Sequence, residues 1–104
     1  MAKVIYKFTF NSEIDFPESI EFDGISADIE NDNKGDFIIQ GEVEEVALDE
    51  NGKLPIYVST SGQTGASWEL EVTFATRKLN TYPITGTIKG GGFYTLNRRY
   101  KLQS

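Results

Sequence analysis

Two pairs of carboxylates on alternating segments of this sequence are spaced for acid–base work: Glu69 with Glu71, and Glu42 with Glu44. At i, i+2 on an extended strand, two such groups share one face about 7 Å apart. That falls inside the roughly 5 to 10 Å separating the two acids of a glycoside hydrolase. The chemistry also needs one carboxyl whose pKa burial has raised. Both pairs sit at the polar positions of alternating segments, which face water, so a solvated strand face explains them better than a catalytic dyad. With no histidine and no cysteine, the chain cannot build a Ser-His-Asp or Cys-His nucleophile, a disulfide, an iron–sulfur cluster or a zinc site of the usual kind. No catalytic residue, metal ligand or cofactor is expected, and a carboxylate-dependent hydrolase ranks last among the readings.

Two loops invite ligand tests. Asp28-Ile29-Glu30-Asn31-Asp32-Asn33-Lys34-Gly35-Asp36 carries hard oxygen donors at alternating positions, as calcium requires. Counted as a calcium loop from Asp28, the glycine position falls on Asn33 and the closing glutamate position on Ile39; counted from Glu30, Lys34 falls among the ligands. A polar turn is the better reading. Lys89-Gly90-Gly91-Gly92-Phe93-Tyr94-Thr95-Leu96 has the basic, glycine and aromatic composition of a strand that stacks RNA bases. Gly91 stands where that pattern needs an aromatic, and no helix follows to hold a pyrophosphate. The three glycines are read as a turn.

Charge is distributed unevenly. Residues 1–50 hold 14 acids and 3 bases, residues 51–104 hold 2 acids and 7 bases, and from Val72 onward there are six bases and no acid. Aromatics interleave with that basic third, and Arg98, Arg99, Lys101 and Phe93 are its candidate binding residues. Tyr57 and Tyr82 are the tyrosines expected at the surface. Such a surface suits an acidic protein, with arginines as anchors. The overall charge of −6 works against approach to nucleic acid. The competing explanation is that basic strands lie beside acidic ones and exchange cross-strand ion pairs.

The elements that must position these residues are strands. Val4, Tyr6, Phe8 and Phe10 alternate with polar partners, as do Leu54, Ile56 and Val58, and most clearly Trp68, Leu70, Val72 and Phe74. Residues 11–19 read as a connection around Pro17, with Ile14 and Phe16 expected to pin it to the core. Ile20 and Phe22 end at Asp23-Gly24, after which Ile25, Ala27 and Ile29 resume in the opposite phase, a sign of a bulge or tight bend. The segment 31–35 is then a polar turn, and Phe37, Ile39, Gly41 and Val43 make a strand whose phase shifts at Glu44-Glu45. Asn51-Gly52 marks a hairpin with Leu54 to Val58 returning. Ser59 to Ser67 is expected to be a flexible loop. In the last strand the face of Tyr94, Leu96, Arg98, Tyr100 and Leu102 is the core candidate.

Seven to eight short strands without a substantial helix predict an all-β, single-domain antiparallel β-sandwich over residues 1–104, with a small closed barrel as the alternative. No segment approaches the ~20 apolar residues of a membrane span. The missing cysteines favour the cytoplasm, a secreted mature domain being the alternative. The expected function is a non-enzymatic protein-interaction or assembly module, joining a protein partner or its own copies through complementary charge. A β domain binding carbohydrate or a small apolar ligand is the second reading.

Overall fold

The computed structural model describes all 104 residues and contains ten strands and no helix: β1 (Ala2–Thr9), β2 (Ser19–Phe22), β3 (Ile25–Ser26), β4 (Asn33–Gly35), β5 (Ile38–Val46), β6 (Lys53–Ser61), β7 (Ser67–Phe74), β8 (Arg77–Lys78), β9 (Ile84–Thr87) and β10 (Phe93–Lys101). Seven have four or more residues; β3, β4 and β8 are two- or three-residue edge pieces. One antiparallel sheet runs β4-β5-β1-β7-β8, with β9 also on β7, and the second runs β10-β6-β2-β3. The sheets face each other as a sandwich and are not closed into a barrel.

Alternation decides which residues fill the space between the sheets. Val4, Tyr6 and Phe8 of β1, Leu70 and Val72 of β7, and Leu54, Ile56 and Val58 of β6 are buried in one hydrophobic cluster. Trp68 lies among them, its ring centroid 5.2 Å from Phe8 and 6.2 Å from Tyr94. Its indole N–H donates to the Thr60 hydroxyl (3.2 Å), which donates in turn to the Tyr94 carbonyl (2.9 Å). The one buried polar side chain of the core is thereby satisfied, as the cost of burying a lone hydroxyl requires. Gly86 pairs with Trp68 across β7 and β9, and a Cβ there would overlap the indole.

Several connections differ from expectation. Asn51-Gly52 does turn, with Gly52 at φ +74°, but it carries the chain from one sheet to the other: β5 pairs with β1, and β6 pairs with β10 and β2. Hydrophobic faces on β5 and β6 meet across the sandwich instead of side by side. Asp23-Gly24 is a two-residue hairpin turn, both residues at positive φ, joining β2 to β3. Ile25 beyond it is exposed, while Ala27 and Ile29 are buried. The phase shift at Glu44-Glu45 is a bulge, with Val4 opposite Val43 but Ala2 opposite Val46. Ser59–Ser67 is shorter as a loop than expected: Ser59, Thr60 and Ser61 end β6, Ser67 begins β7, and the five residues 62–66 between them are tied down. Gly62 and Gly65 donate to the Gly92 and Ile88 carbonyls, Gln63 donates to Glu13, and Ala66 is buried. Ile14 reaches the core and Phe16 does not.

Candidate functional site

The register separates the six candidate binding residues. In β10 paired with β6, Phe93 lies opposite Ser61, Asn97 opposite Tyr57, Arg99 opposite Pro55 and Lys101 opposite Lys53. Alternation therefore puts Phe93, Tyr57, Arg99 and Lys101 on the outer face of the four-stranded sheet. Arg98 belongs to the inward face with Leu96 and Tyr100, as its alternation requires. It is not core: β10 is the edge strand, so the side chain escapes at the rim and is exposed while Leu96 and Tyr100 are buried. Tyr82 belongs to the other sheet. It lies half-buried near β7, with the Lys78 ammonium 4.7 Å from its ring centroid, and shares a shallow depression with Lys7 and Glu71. Partial burial, then the Glu71 carboxylate, holds its phenol above the ordinary value.

The sheet order answers whether the basic third is neutralised by acidic strands. β9 packs against β10, and β3 against β5, so β10 and β5 lie at opposite lateral margins of the sandwich. One margin carries Arg77, Lys78, Lys89, Arg98, Arg99 and Lys101; the other carries Glu42, Glu44 and Glu45 on β5 and the acids of the 28–36 loop. Of the six bases after Val72, Arg99 alone has an acidic partner, Asp49 at 2.8 Å. Asp49 also accepts the backbone N–H groups of Asn51 and Lys53. The Arg99 hydrogen bond, followed by the Lys53 N–H, holds the Asp49 carboxyl below its ordinary pKa. Arg77 donates to the Gln103 carbonyl and Lys89 sits 5.7 Å from the Tyr94 ring centroid. Arg98 and Lys101 make no ion pair.

Candidates for other chemistry resolve differently. Glu42 and Glu44 converge on Lys3 at 3.2 and 3.7 Å, and their hydrogen bond and charge raise its pKa. Glu69 and Glu71 occupy the solvent side of β7. In the acidic loop, Asp28 bonds to the Asn31 amide and Asp32 accepts the Tyr6 hydroxyl, so the two carboxylates point to different partners. An aromatic group outside these candidates also reaches the surface. Phe10, Phe16 and Phe37 surround a depression of about 380 Å³ at one end of the sandwich, larger than the other two at about 250 Å³ each. Period-two alternation puts Phe37 in a strand facing the core with Ile39, but β4 and β5 turn at Asp36-Phe37, both at positive φ, and the ring is 46% exposed. The warning in the sequence is Gly35-Asp36 directly before Phe37, a turn signal one step later than 31–35. Comparison with protein-family models, with curated proteins and with solved structures finds no match to this chain.

Proposed function

We propose that this chain is a non-enzymatic assembly module that joins copies of itself head to tail, the basic β10 margin of one copy meeting the acidic β5 margin of the next. The observation that carries the reading is the placement of opposite charges at opposite margins, with Arg99 the only one of the six bases after Val72 paired to an acid and Lys3 the only base paired on the β5 side. Strand edges strengthen it. The Lys89 N–H donates to the Phe93 carbonyl and the Asn80 N–H to the Lys101 carbonyl, both from outside the β6 ladder, so Phe93 and Lys101 turn their backbone groups away from β6. By alternation Thr95, Asn97 and Arg99 do the same, and between those two capped ends no strand is hydrogen-bonded to them. On β5, β4 pairs with Ile38 and Ile39 and the Asp32 carbonyl accepts the Gln40 N–H, so by alternation the outward backbone groups of Glu42 and Glu44 are the ones left open. Open edges are pairing templates that proteins guard with charge. Arg98 and Arg99 repel a second β10 but suit an edge bearing Glu42 and Glu44. Such a contact is heterologous and grows by addition instead of closing as a two-fold dimer.

Sedimentation at ~20 mM and ~0.5 M salt tests the proposal, because screening at the higher ionic strength shortens the reach of exposed charges to a few ångström. Oligomers are expected at low salt and monomers at high salt. Arg98→Glu with Arg99→Glu should give monomers at both, and mixing that variant with Glu42→Lys, Glu44→Lys should restore association. Monomers throughout at ~20 mM salt, or assembly indifferent to both charge reversals, would overturn it.

A further inference from the structure

Phe37 is costly where it stands. The Asp36-Phe37 turn has φ values of +54° and +62°, a geometry for which two-residue hairpins select Asn-Gly or Asp-Gly, and which bulky L-residues rarely enter. Burial does not compensate, since the ring remains 46% exposed. Backbone strain of this kind gathers at ligand sites. The ring is held in a definite place: the Phe10 N–H donates to the Phe37 carbonyl at 3.1 Å, and the Phe37 ring stands at 85° to Phe10 with centroids 5.5 Å apart. Phe16 approaches Phe10 at 79° and 6.4 Å, and is itself 39% exposed. Three aromatic rings in differing orientations thus line the depression. Asp36 is the one ionised side chain in that lining, which contains no base; Ile14, Asn33 and Gly35 complete it.

We infer that this depression binds a compact organic cation of the alkylammonium type, held by the Phe10, Phe16 and Phe37 rings with Asp36 supplying the counter-charge. A cation gains from each ring face presented to it, whatever the angle between them, whereas a flat apolar ligand needs parallel walls. The volume, about 380 Å³, lies in the usual range of small-molecule sites. The margin around it is the acidic one, so the long-range field also favours a cation. The site is independent of the β10 margin, and its test does not depend on assembly.

The experiment is an NMR titration of the intact chain with choline and, in parallel, with 3,3-dimethylbutan-1-ol, the same shape without the charge. Choline is expected to shift the ring protons of the three phenylalanines, with the neutral alcohol binding at least about 5-fold more weakly. Asp36→Asn should weaken choline and leave the alcohol unchanged. Phe37→Gly gives the turn the residue its backbone prefers, so this variant should stay folded and melt no lower than the parent while losing choline. Equal binding of choline and alcohol, no shift up to about 50 mM, or unchanged choline binding by Phe37→Gly would each overturn the inference. Repeating the titration with the amide of trimethyllysine distinguishes a free quaternary amine from a protein side chain as the source of the cation.

Discussion

Trp68→Ala is expected to lower stability by about 3–5 kcal/mol, the usual cost of truncating a buried large aromatic, and to lower the melting temperature by roughly 15 °C or more. Trp68 is 1% exposed and touches both layers: Phe8 from β1, Tyr94 from β10, Gly86 from β9 and the Thr60 hydroxyl from β6. Its removal opens a void where the sheets meet, and neighbours fixed by their strands can fill it only in part. Trp68→Phe keeps most of the contact but loses the N–H to Thr60, so about 1 kcal/mol is expected. Gly86→Ala attacks the same place from the other side, and its methyl would overlap the indole, an overpacking cost of about 1–3 kcal/mol. Combined with Trp68→Phe, which leaves room for that methyl, the Gly86→Ala penalty should shrink, because residues in contact do not act additively. Urea unfolding of the four proteins followed by circular dichroism gives the cycle. Full additivity, or a loss below about 1 kcal/mol for Trp68→Ala, would show that the indole does not join the layers in this way.

Strand identity was legible because burial enforces period-two alternation. Trp68 to Phe74, Leu54 to Val58 and Val4 to Phe8 read correctly, since a one-residue slip would send every apolar side chain to water. The bulge at Glu44-Glu45 was legible for the same reason: two adjacent acids cannot both keep the phase. Strand partnership was not. Asn51-Gly52 specifies a turn, yet nothing local states whether the next strand pairs with the last or crosses to the other sheet. Arg98 shows a second limit. Its position in the alternation is the inward one, but an edge strand has solvent beside it, and edge status depends on the order of distant segments.

The candidate site was legible as composition and not as geometry. The acid-free final third was visible residue by residue, but its exposure depended on β10 and β5 lying at opposite margins. Tyr57, Phe93, Arg99 and Lys101 share a face because they belong to one ladder, which alternation within each strand could suggest once β6 and β10 were known to pair. Tyr82 stands apart from them because it follows β8 into the other sheet. Phe37 was hidden by its own type: a phenylalanine two residues before Ile39 reads as core unless the turn is known to end with it.

Tyr6→Phe is expected to cost about 1.5–3 kcal/mol at neutral pH, the range for a hydrogen bond to a charged acceptor, and this cost should shrink in alkali. The Tyr6 side chain is buried in β1 and its hydroxyl donates to the Asp32 carboxylate at 2.6 Å. The bond holds the loop that brings Ala27 and Ile29 into the core and then leads into β4. Gly41, opposite Tyr6 in the β1–β5 ladder, makes the approach possible, because a Cβ there would collide with the Asp32 carboxylate. Burial first, then the hydrogen bond and charge of Asp32, raise the Tyr6 phenol far above its ordinary value near 10. The folded protein therefore keeps this proton at a pH where the unfolded chain has released it. Below pH 10 the contribution is complete; above it, stability falls with rising pH, by linkage to the one proton that only the folded state retains. Tyr6→Phe lacks that proton, so its stability should fall less steeply through the same window. Tyr82 and Tyr100 are raised as well and are present in both proteins, so the difference between the two curves isolates Tyr6. Urea midpoints measured from pH 8 to about pH 12 should converge as pH rises; a constant gap would mean that the hydroxyl is not held in its protonated form by the fold.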